Sequence, residues 1–227
     1  MKRLSASVFL ILFLQNFVHG QPTDTFRRWY FGVMAGPQFS RLIPKDPGAG
    51  WTTGIFSAID VSYALQHSAK GWSVHFQPGV NGSRSKRTNS DSTFHMTWKS
   101  KVMSVNLPLL VRYTFLEGKI RPFAEAGASY LMYNSWSLKG EGYFCQDGGC
   151  YPNEFDAKIK NSVKKGRFSA LAGVGVEFDL GKVTIPVTVR WNEQLLKKET
   201  FYDPVSATTT YASFKSRTIQ VAAGITF

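Results

Sequence analysis

The segment KVMSVNLPLLVRYTF, residues 101–115, decides the fold because its alternate residues suit two different environments. One row, which begins at Met103 and ends at Phe115, is apolar throughout, whereas the other row contains Asn106 and the charged Arg112. Side chains of a β-strand point alternately to its two faces, so the segment predicts a strand with one apolar face. Such a strand belongs either to a soluble sheet or to a barrel that lies in a membrane.

The same alternation recurs in seven other segments of the chain. They are residues 29–40, 51–65, 72–81, 120–134, 168–178, 183–192 and 218–227. The connections between them alternate long and short, and an even number of strands joined in this way is typical of outer-membrane barrels. The sequence therefore predicts an all-β fold, an eight-stranded antiparallel up-and-down transmembrane β-barrel, with both termini on the periplasmic side.

A soluble barrel of the lipocalin type is the alternative, and it would place the apolar row inside and the other row in water. A row that faces water is normally rich in lysine and glutamate, but here it is rich in glycine, serine and alanine. Small residues suit a narrow lumen, so the membrane barrel is favoured. Phe123, Leu131 and Tyr133 interrupt the alternation in segment 120–134.

The first twenty residues carry Lys2 and Arg3, then an apolar core, then Gly20 at a position suited to cleavage. This arrangement is typical of a secretory signal peptide, since the apolar core is shorter than the roughly 20 residues of a membrane-spanning helix. We expect a signal peptide over residues 1–20, a short periplasmic segment over 21–28 and the barrel domain over 29–227.

Aromatic residues lie near both ends of the predicted strands, as expected for a barrel whose rim residues contact the membrane interfaces. The predicted girdles contain Trp29, Trp51, Tyr63, Trp72, Tyr113, Trp136 and Trp191. Four prolines lie inside predicted strands, where each removes one backbone donor, so we expect β-bulges near them. They are Pro78, Pro108, Pro122 and Pro186.

Five charged residues fall on the row that should face the lumen, namely Asp60, Arg112, Glu125, Glu177 and Arg190. The interior of an eight-stranded barrel is only just wide enough for side chains, so these charges must pair with each other or with trapped water. They predict a salt-bridged plug in the lumen, and a narrow ion or proton path is the alternative.

The chain carries a formal net charge of +12. An exported protein does not ordinarily meet nucleic acid, so we expect outer-membrane lipid and lipopolysaccharide as the anionic partners. Cys145 and Cys150 flank a short turn sequence, and in an oxidising compartment this spacing predicts a disulfide. It lies in the long loop 135–165, which is a candidate site for a protein partner.

No set of residues with the spacing of a catalytic, cofactor-binding or metal-binding motif is present in the sequence. His67, His75 and His95 are candidate bases, but their spacing does not specify a nucleophile. We therefore expect a protein without enzymatic activity, and an outer-membrane hydrolase that modifies lipids or peptides is the alternative.

The stretches NLPLLVRYTF and IRPFAEAGASYLMY resemble the outer-membrane β-barrel proteins of Bacteroidetes, including the PorT-like group. The terminal VAAGITF, which ends in Phe227, is also similar to that family. The resemblance implies a barrel whose C-terminal strand is recognised by the barrel-assembly machinery, and it implies an association with protein secretion. Together with the long loops, it predicts a structural or loop-mediated interaction protein of the cell surface.

Overall fold

The computed structural model describes residues 27–43, 50–91, 93–146, 149–160, 167–195, 197–203 and 208–227. The predicted signal peptide lies outside the described residues. The described residues form eleven strands: β1 Trp29–Ile43, β2 Thr52–Ala64, β3 Gly71–Phe76, β4 Gly79–Asp91, β5 Phe94–Thr114, β6 Ile120–Gln146, β7 Gly149–Lys160, β8 Arg167–Asp179, β9 Thr184–Gln194, β10 Lys197–Asp203 and β11 Thr208–Thr226. The described residues contain no helix that is long and apolar enough to span a membrane.

These strands form a closed antiparallel barrel of eight strands. Strand β3 and strand β4 lie end to end between β2 and β5, β7 continues β8 along β6, and β10 continues β9 along β11. The first and last strands pair from Gly32 with Thr226 to Ile43 with Lys215, and this seam closes the barrel. The predicted eight-stranded all-β architecture is therefore confirmed.

The barrel is apolar outside and polar inside. Ile55 is 70% exposed and Val174 is 63% exposed on the outer face, whereas Asp60 is 2% exposed and Arg112 is 1% exposed in the lumen. This distribution is the inverse of that in a soluble protein, where apolar side chains are usually buried. It suits a barrel whose outer face contacts lipid and excludes the lipocalin-like arrangement.

The expectation of long polar loops is wrong for three segments, residues 82–100, 135–165 and 193–210, because most of their described residues continue the strands. Strand β4 pairs with β5 as far as Asp91 with Phe94, and β6 pairs with β7 as far as Gln146 with Gly149. Alternation of apolar and polar residues detects only strands with one apolar face, whereas these hairpins are held by backbone hydrogen bonds and carry polar residues on both faces.

Of the four strand prolines, Pro108 lies two residues from a register shift of the described pairing, and the other three do not have one nearby. Pairing keeps the same register across Pro78, Pro108, Pro122 and Pro186. Carbonyl groups of three of these prolines still accept hydrogen bonds at 3.0 Å. The donors are the backbone N–H groups of Ile59 at Pro78, of Gln77 at Pro108 and of Phe115 at Pro122. The register shift between β5 and β6 lies between Val105 and Asn106, where Met132 is the additional residue on β6.

Glycines on the inner row allow neighbouring strands to approach closely inside this narrow barrel. A Cβ atom on Gly127 would lie 2.1 Å from the carbonyl oxygen of Leu109 and 2.8 Å from the Cα atom of Leu110. On the outer row, a Cβ atom on Gly82 would meet its nearest atom, the carbonyl oxygen of Ile55, at 4.0 Å. The backbone therefore excludes a side chain at the first position and accepts one at the second.

We expect Gly127→Ala to lower the free energy of unfolding by about 1–3 kcal/mol, because the methyl group forces two strands apart. The matched variant Gly82→Ala should unfold like the wild type, and both can be measured by urea unfolding of the barrel folded in detergent. Equal midpoints for the two variants would contradict the close approach at Gly127.

Candidate functional site in the barrel lumen

Four neighbouring strands bring oppositely charged side chains to one level of the lumen. Arg112 on β5 pairs with Glu125 on β6, which pairs with Gly173 on β8, which in turn pairs with Arg190 on β9. A Cβ atom on Gly173 would lie 2.9 Å from Arg190 Cγ and 3.2 Å from Glu125 Oε1. Glycine at this position therefore leaves the space in which Glu125 and Arg190 meet across the intervening strand.

Glu125 is the centre of this cluster, and its two carboxylate oxygens accept four hydrogen bonds from neighbouring side chains. Oε2 accepts from Arg112 Nε at 3.1 Å and from Arg112 Nη2 at 2.9 Å. Oε1 accepts from Arg190 Nε at 2.5 Å and from Thr188 Oγ1 at 3.1 Å. A buried carboxylate needs this degree of satisfaction to remain charged.

The ion pairs continue from Arg112 toward the barrel end at which the short turns lie. Arg112 Nη1 donates to Glu177 Oε1 at 2.6 Å, and Arg121 Nε lies 3.4 Å from Glu177 Oε2. Arg121 Nη1 then donates to Asp179 Oδ2 at 2.8 Å. Positive and negative side chains thus alternate from Arg190 to Asp179, and we name this series the charge ladder.

Arg121 and Asp179 belong to the charge ladder but are absent from the sequence-based set. Arg121 lies two residues before Phe123 on the inner row of β6, so one further step of the alternation would have found it. Asp179 is the last residue of β8, at a position that the sequence assigns to a turn.

Apolar side chains fill the lumen beside the charge ladder. Phe123 is buried, and the guanidinium carbon of Arg112 lies 3.9 Å from the centre of its ring. A second buried group consists of Met34, Phe56, Ala58 and Ala222. The position of Phe123 explains why it interrupts the outer apolar row, because its ring belongs to the lumen.

Asp60 lies apart from the charge ladder and has a different hydrogen-bond partner. Both of its carboxylate oxygens lie 3.1 Å from His75 Nδ1, and both side chains are almost fully buried. Four of the five predicted lumen charges therefore belong to the charge ladder, whereas the fifth, Asp60, pairs with a histidine. The alternation that assigns Asp60 and His75 to the inner row does not reveal which side chains meet there.

Six of the seven predicted girdle residues lie on or near the outer face at two levels. At one level Trp29 packs on Tyr63 with ring centres 4.9 Å apart, and Trp72 packs on Tyr113 at 4.8 Å. At the other level Trp51 and Trp191 are exposed, with the guanidinium groups of Arg41 and Arg217 over their respective rings.

Trp136 does not belong to the outer girdle. The extra residue at Met132 shifts the alternation of β6, so Trp136 pairs with Val102 on the inner row of β5. Its indole Nε1 donates to Ser100 Oγ at 2.7 Å.

The hairpin formed by β6 and β7 extends beyond the girdles and is closed by the predicted disulfide between Cys145 and Cys150. Lys139 donates to Asp156 on the paired strand at 2.8 Å, and this hydrogen bond lowers the pKa of the Asp156 carboxyl. Lys99 pairs with Glu141 across β5 and β6 and lowers the pKa of Glu141 in the same way. Both pairs are exposed, so they contribute little to stability.

The other two candidate histidines lie at opposite ends of the barrel. His67 contacts Arg28 near the short turns, whereas His95 stacks on Tyr143 in the hairpin with ring centres 5.5 Å apart. His95 Nδ1 also lies 3.2 Å from Ser90 Oγ. Neither the contact of His67 with Arg28 nor that of His95 with Ser90 provides the carboxylate partner that a catalytic base uses.

Comparison with protein families agrees with this geometry. The family described as outer membrane protein beta-barrel domain matches residues 5–227. The chain belongs to this family. The family and the closed barrel together indicate a location in the outer membrane. No curated protein sequence matches the chain.

Several solved structures show a distant likeness to the chain. Neisserial surface protein A is 13% identical over 87% of this chain and 95% of its own, with a TM-score of 0.46. A major outer membrane protein from Thermus thermophilus is 14% identical over 88% of this chain and 100% of its own, with a TM-score of 0.45. Ail of Yersinia pestis, in complex with a heparin analogue, is 13% identical over the same shares, with a TM-score of 0.41. Sequence identities and TM-scores this low carry no information about function.

We expect Arg112→Ala to lower the free energy of unfolding by roughly 3–5 kcal/mol, because it leaves Glu125 and Glu177 without their shared cation in the lumen. Lys139→Ala, which removes an exposed cation, is the matched control and should unfold like the wild type. Urea unfolding followed by tryptophan fluorescence measures both. An unchanged midpoint for Arg112→Ala would show that the charge ladder does not stabilise the barrel.

Proposed function

We propose that this protein is a closed outer-membrane barrel that serves as a structural and loop-mediated interaction protein at the cell surface. The length of β6 carries the proposal, since the strand contains 27 residues and a barrel strand needs only about 9–11 to cross a membrane. More than half of β6 is therefore available to build a paired, disulfide-closed hairpin outside the membrane. We name this hairpin, β6 with β7, the long hairpin.

The tip of the long hairpin has the composition of a contact surface. Tyr143, Phe144 and Tyr151 are 46%, 45% and 64% exposed, and all three lie close to the disulfide. Exposed aromatic side chains outside the lipid-facing band suit recognition of a protein, because they bury a large area with little loss of conformational entropy.

In the proposed orientation the long hairpin faces the outside and both termini face the periplasm. Basic residues of β4, β5 and β7, among them Arg84, Lys99 and Lys158, would then face the phosphates of lipopolysaccharide. Phe227, whose backbone N–H donates to the carbonyl of Phe31 at 2.8 Å, would be presented at the periplasmic end to the barrel-assembly machinery.

A PorT-like assignment, with its link to secretion, is a narrower form of the same proposal. It is supported by the NLPLLVRYTF and IRPFAEAGASYLMY stretches, which form the part of the β5–β6 pair nearest the short turn, below the long hairpin. The proposed role requires no chemical step in the protein.

The charge ladder supports a closed lumen over an open one. Arg112, Glu125 and Arg190 pair directly inside the lumen, so a permeating ion would have to displace strong hydrogen bonds. A narrow proton or ion path is the second candidate function, because the charge ladder presents alternating charges along the barrel.

We expect the refolded wild type to give no steady conductance in a planar lipid bilayer, since side chains fill the level of Glu125. Glu177→Gln should be equally silent, as should the hairpin control Glu141→Gln. A steady current that changes with Glu177→Gln and not with Glu141→Gln would favour the path over the plug.

We expect a photo-crosslinking amino acid in place of Tyr151 to form a discrete protein adduct when illuminated in intact cells. The same amino acid in place of Val174, which is similarly exposed but faces lipid, should form none. Denaturing gels with an antibody to the barrel measure both variants. The interaction role would be contradicted by the absence of an adduct at Tyr151 or by the same adduct at Val174.

A further inference from the structure

Ser73 completes a hydrogen-bonded series with His75 and Asp60 on the wall of the lumen. Ser73 Oγ lies 2.9 Å from His75 Nε2, and His75 Nδ1 lies 3.1 Å from each oxygen of Asp60. The three residues come from two paired strands, since Ser73 and His75 are alternate residues of β3 and Asp60 lies on β2. Serine, imidazole and carboxylate are therefore joined in the order of a serine hydrolase triad.

The carboxylate determines the tautomer of the imidazole. Asp60 only accepts hydrogen bonds when it is ionised, so Nδ1 of His75 carries the proton that lies between them. Nε2 of the neutral ring then has a free lone pair and accepts the hydroxyl proton of Ser73. In this arrangement His75 is placed to act as a general base toward Ser73.

Solvent exposure increases from Asp60 through His75 to Ser73, so the nucleophile is the member of the series that a substrate can reach. Asp60 and His75 are 2% and 4% exposed, whereas Ser73 is only partly buried. All three line a cavity of about 60 Å³ at the short-turn end, which we name the vestibule. Small residues at its wall, including Ala64, Ala69 and Gly71, leave the space in front of the series open.

The charges that line the vestibule are balanced, with two arginines against Asp60 and Glu177. Arg112 pairs with Ser73 across β3 and β5, and both Arg112 and Arg121 line the cavity. Glu177 lies between these two arginines and pairs with both, so the region beside Ser73 is not dominated by negative charge. Positive charge beside the nucleophile stabilises an oxyanion as it develops.

We propose that Ser73, His75 and Asp60 form a nucleophilic site that hydrolyses short acyl esters, of acetyl size, that enter the vestibule from the short-turn end. The small volume limits the acyl group, while the opening lets a larger alcohol portion remain outside the barrel. This activity goes beyond the interaction role proposed above and runs against the sequence-based expectation of a protein without enzymatic activity.

The reaction proceeds in two balanced steps. Ser73 Oγ bonds to the carbonyl carbon while its proton moves to His75 Nε2; the ester C–O bond then breaks, and the imidazolium returns the proton to the departing alcohol. Water next attacks the acyl carbon and gives a proton to Nε2, and this proton passes to Ser73 Oγ as the carboxylic acid leaves. Asp60 stabilises the imidazolium that forms in each step.

Methanesulfonyl fluoride, which transfers a small sulfonyl group to activated serines with loss of fluoride, tests the site on the folded full-length barrel. We expect peptide mass spectrometry to find the adduct on Ser73 and not on Ser68, a second vestibule serine that bonds to the carboxylate of Glu117 instead of to a histidine. Ser73→Ala should remove both the adduct and the hydrolysis of 4-nitrophenyl acetate, whereas Ser40→Ala, at the opposite end of the barrel, should retain them.

His75→Asn should slow the modification of Ser73 at least about 100-fold, because loss of a general base typically has an effect of that size or larger. If this variant does not fold, the comparison is between folded and heat-denatured wild type, and the folded chain should react at least about 100-fold faster. An unmodified Ser73 in the folded wild type, or equal rates in either comparison, would overturn the proposal. Neither result depends on the crosslinking outcome at Tyr151.

Discussion

Every backbone N–H and C=O group of a strand that lies in lipid must find its hydrogen-bond partner within the protein, and the rest of the structure depends on this constraint. The pairing of β1 with β11 meets it by removing the two free edges of the sheet. Closure with only eight strands then fixes a lumen no wider than the side chains that fill it. Inward charges have no bulk water available, so each must find a partner of opposite charge or a hydrogen-bonding side chain.

The charge ladder shows how the barrel meets that requirement. Burial of one ionised side chain costs several kcal/mol, and the loss is offset only where geometry and additional hydrogen bonds are good. Glu125 satisfies both conditions because Arg112 lies opposite it on the next strand and Gly173 lets Arg190 reach it from two strands away. The ladder is therefore a product of register, since a shift of one residue on β6 would turn Glu125 toward lipid.

The sequence predicts the parts of this architecture that depend on alternation alone. Arg112 and Glu125 could be assigned to the lumen because period-two patterns reveal the face of each residue. Its place near a strand end predicts Trp136 in the outer girdle, but the extra residue at Met132 turns it to the inner row, and Met132 carries no sequence signal of a bulge. The pairing of Asp60 with His75 depends on how β2 lies against β3, which alternation within one strand does not contain.

The two ends of the barrel differ in chemistry, and the lumen between them is filled. The long hairpin presents aromatic and basic side chains at one end, whereas the vestibule presents a serine, a histidine and arginines at the other. The charge ladder and the apolar group around Phe56 separate these ends, so a molecule at the hairpin has no direct route to Ser73. Changes in the sequence of the long hairpin can therefore alter surface contacts without disturbing the vestibule. Small molecules can enter the vestibule only from the compartment into which the short turns project.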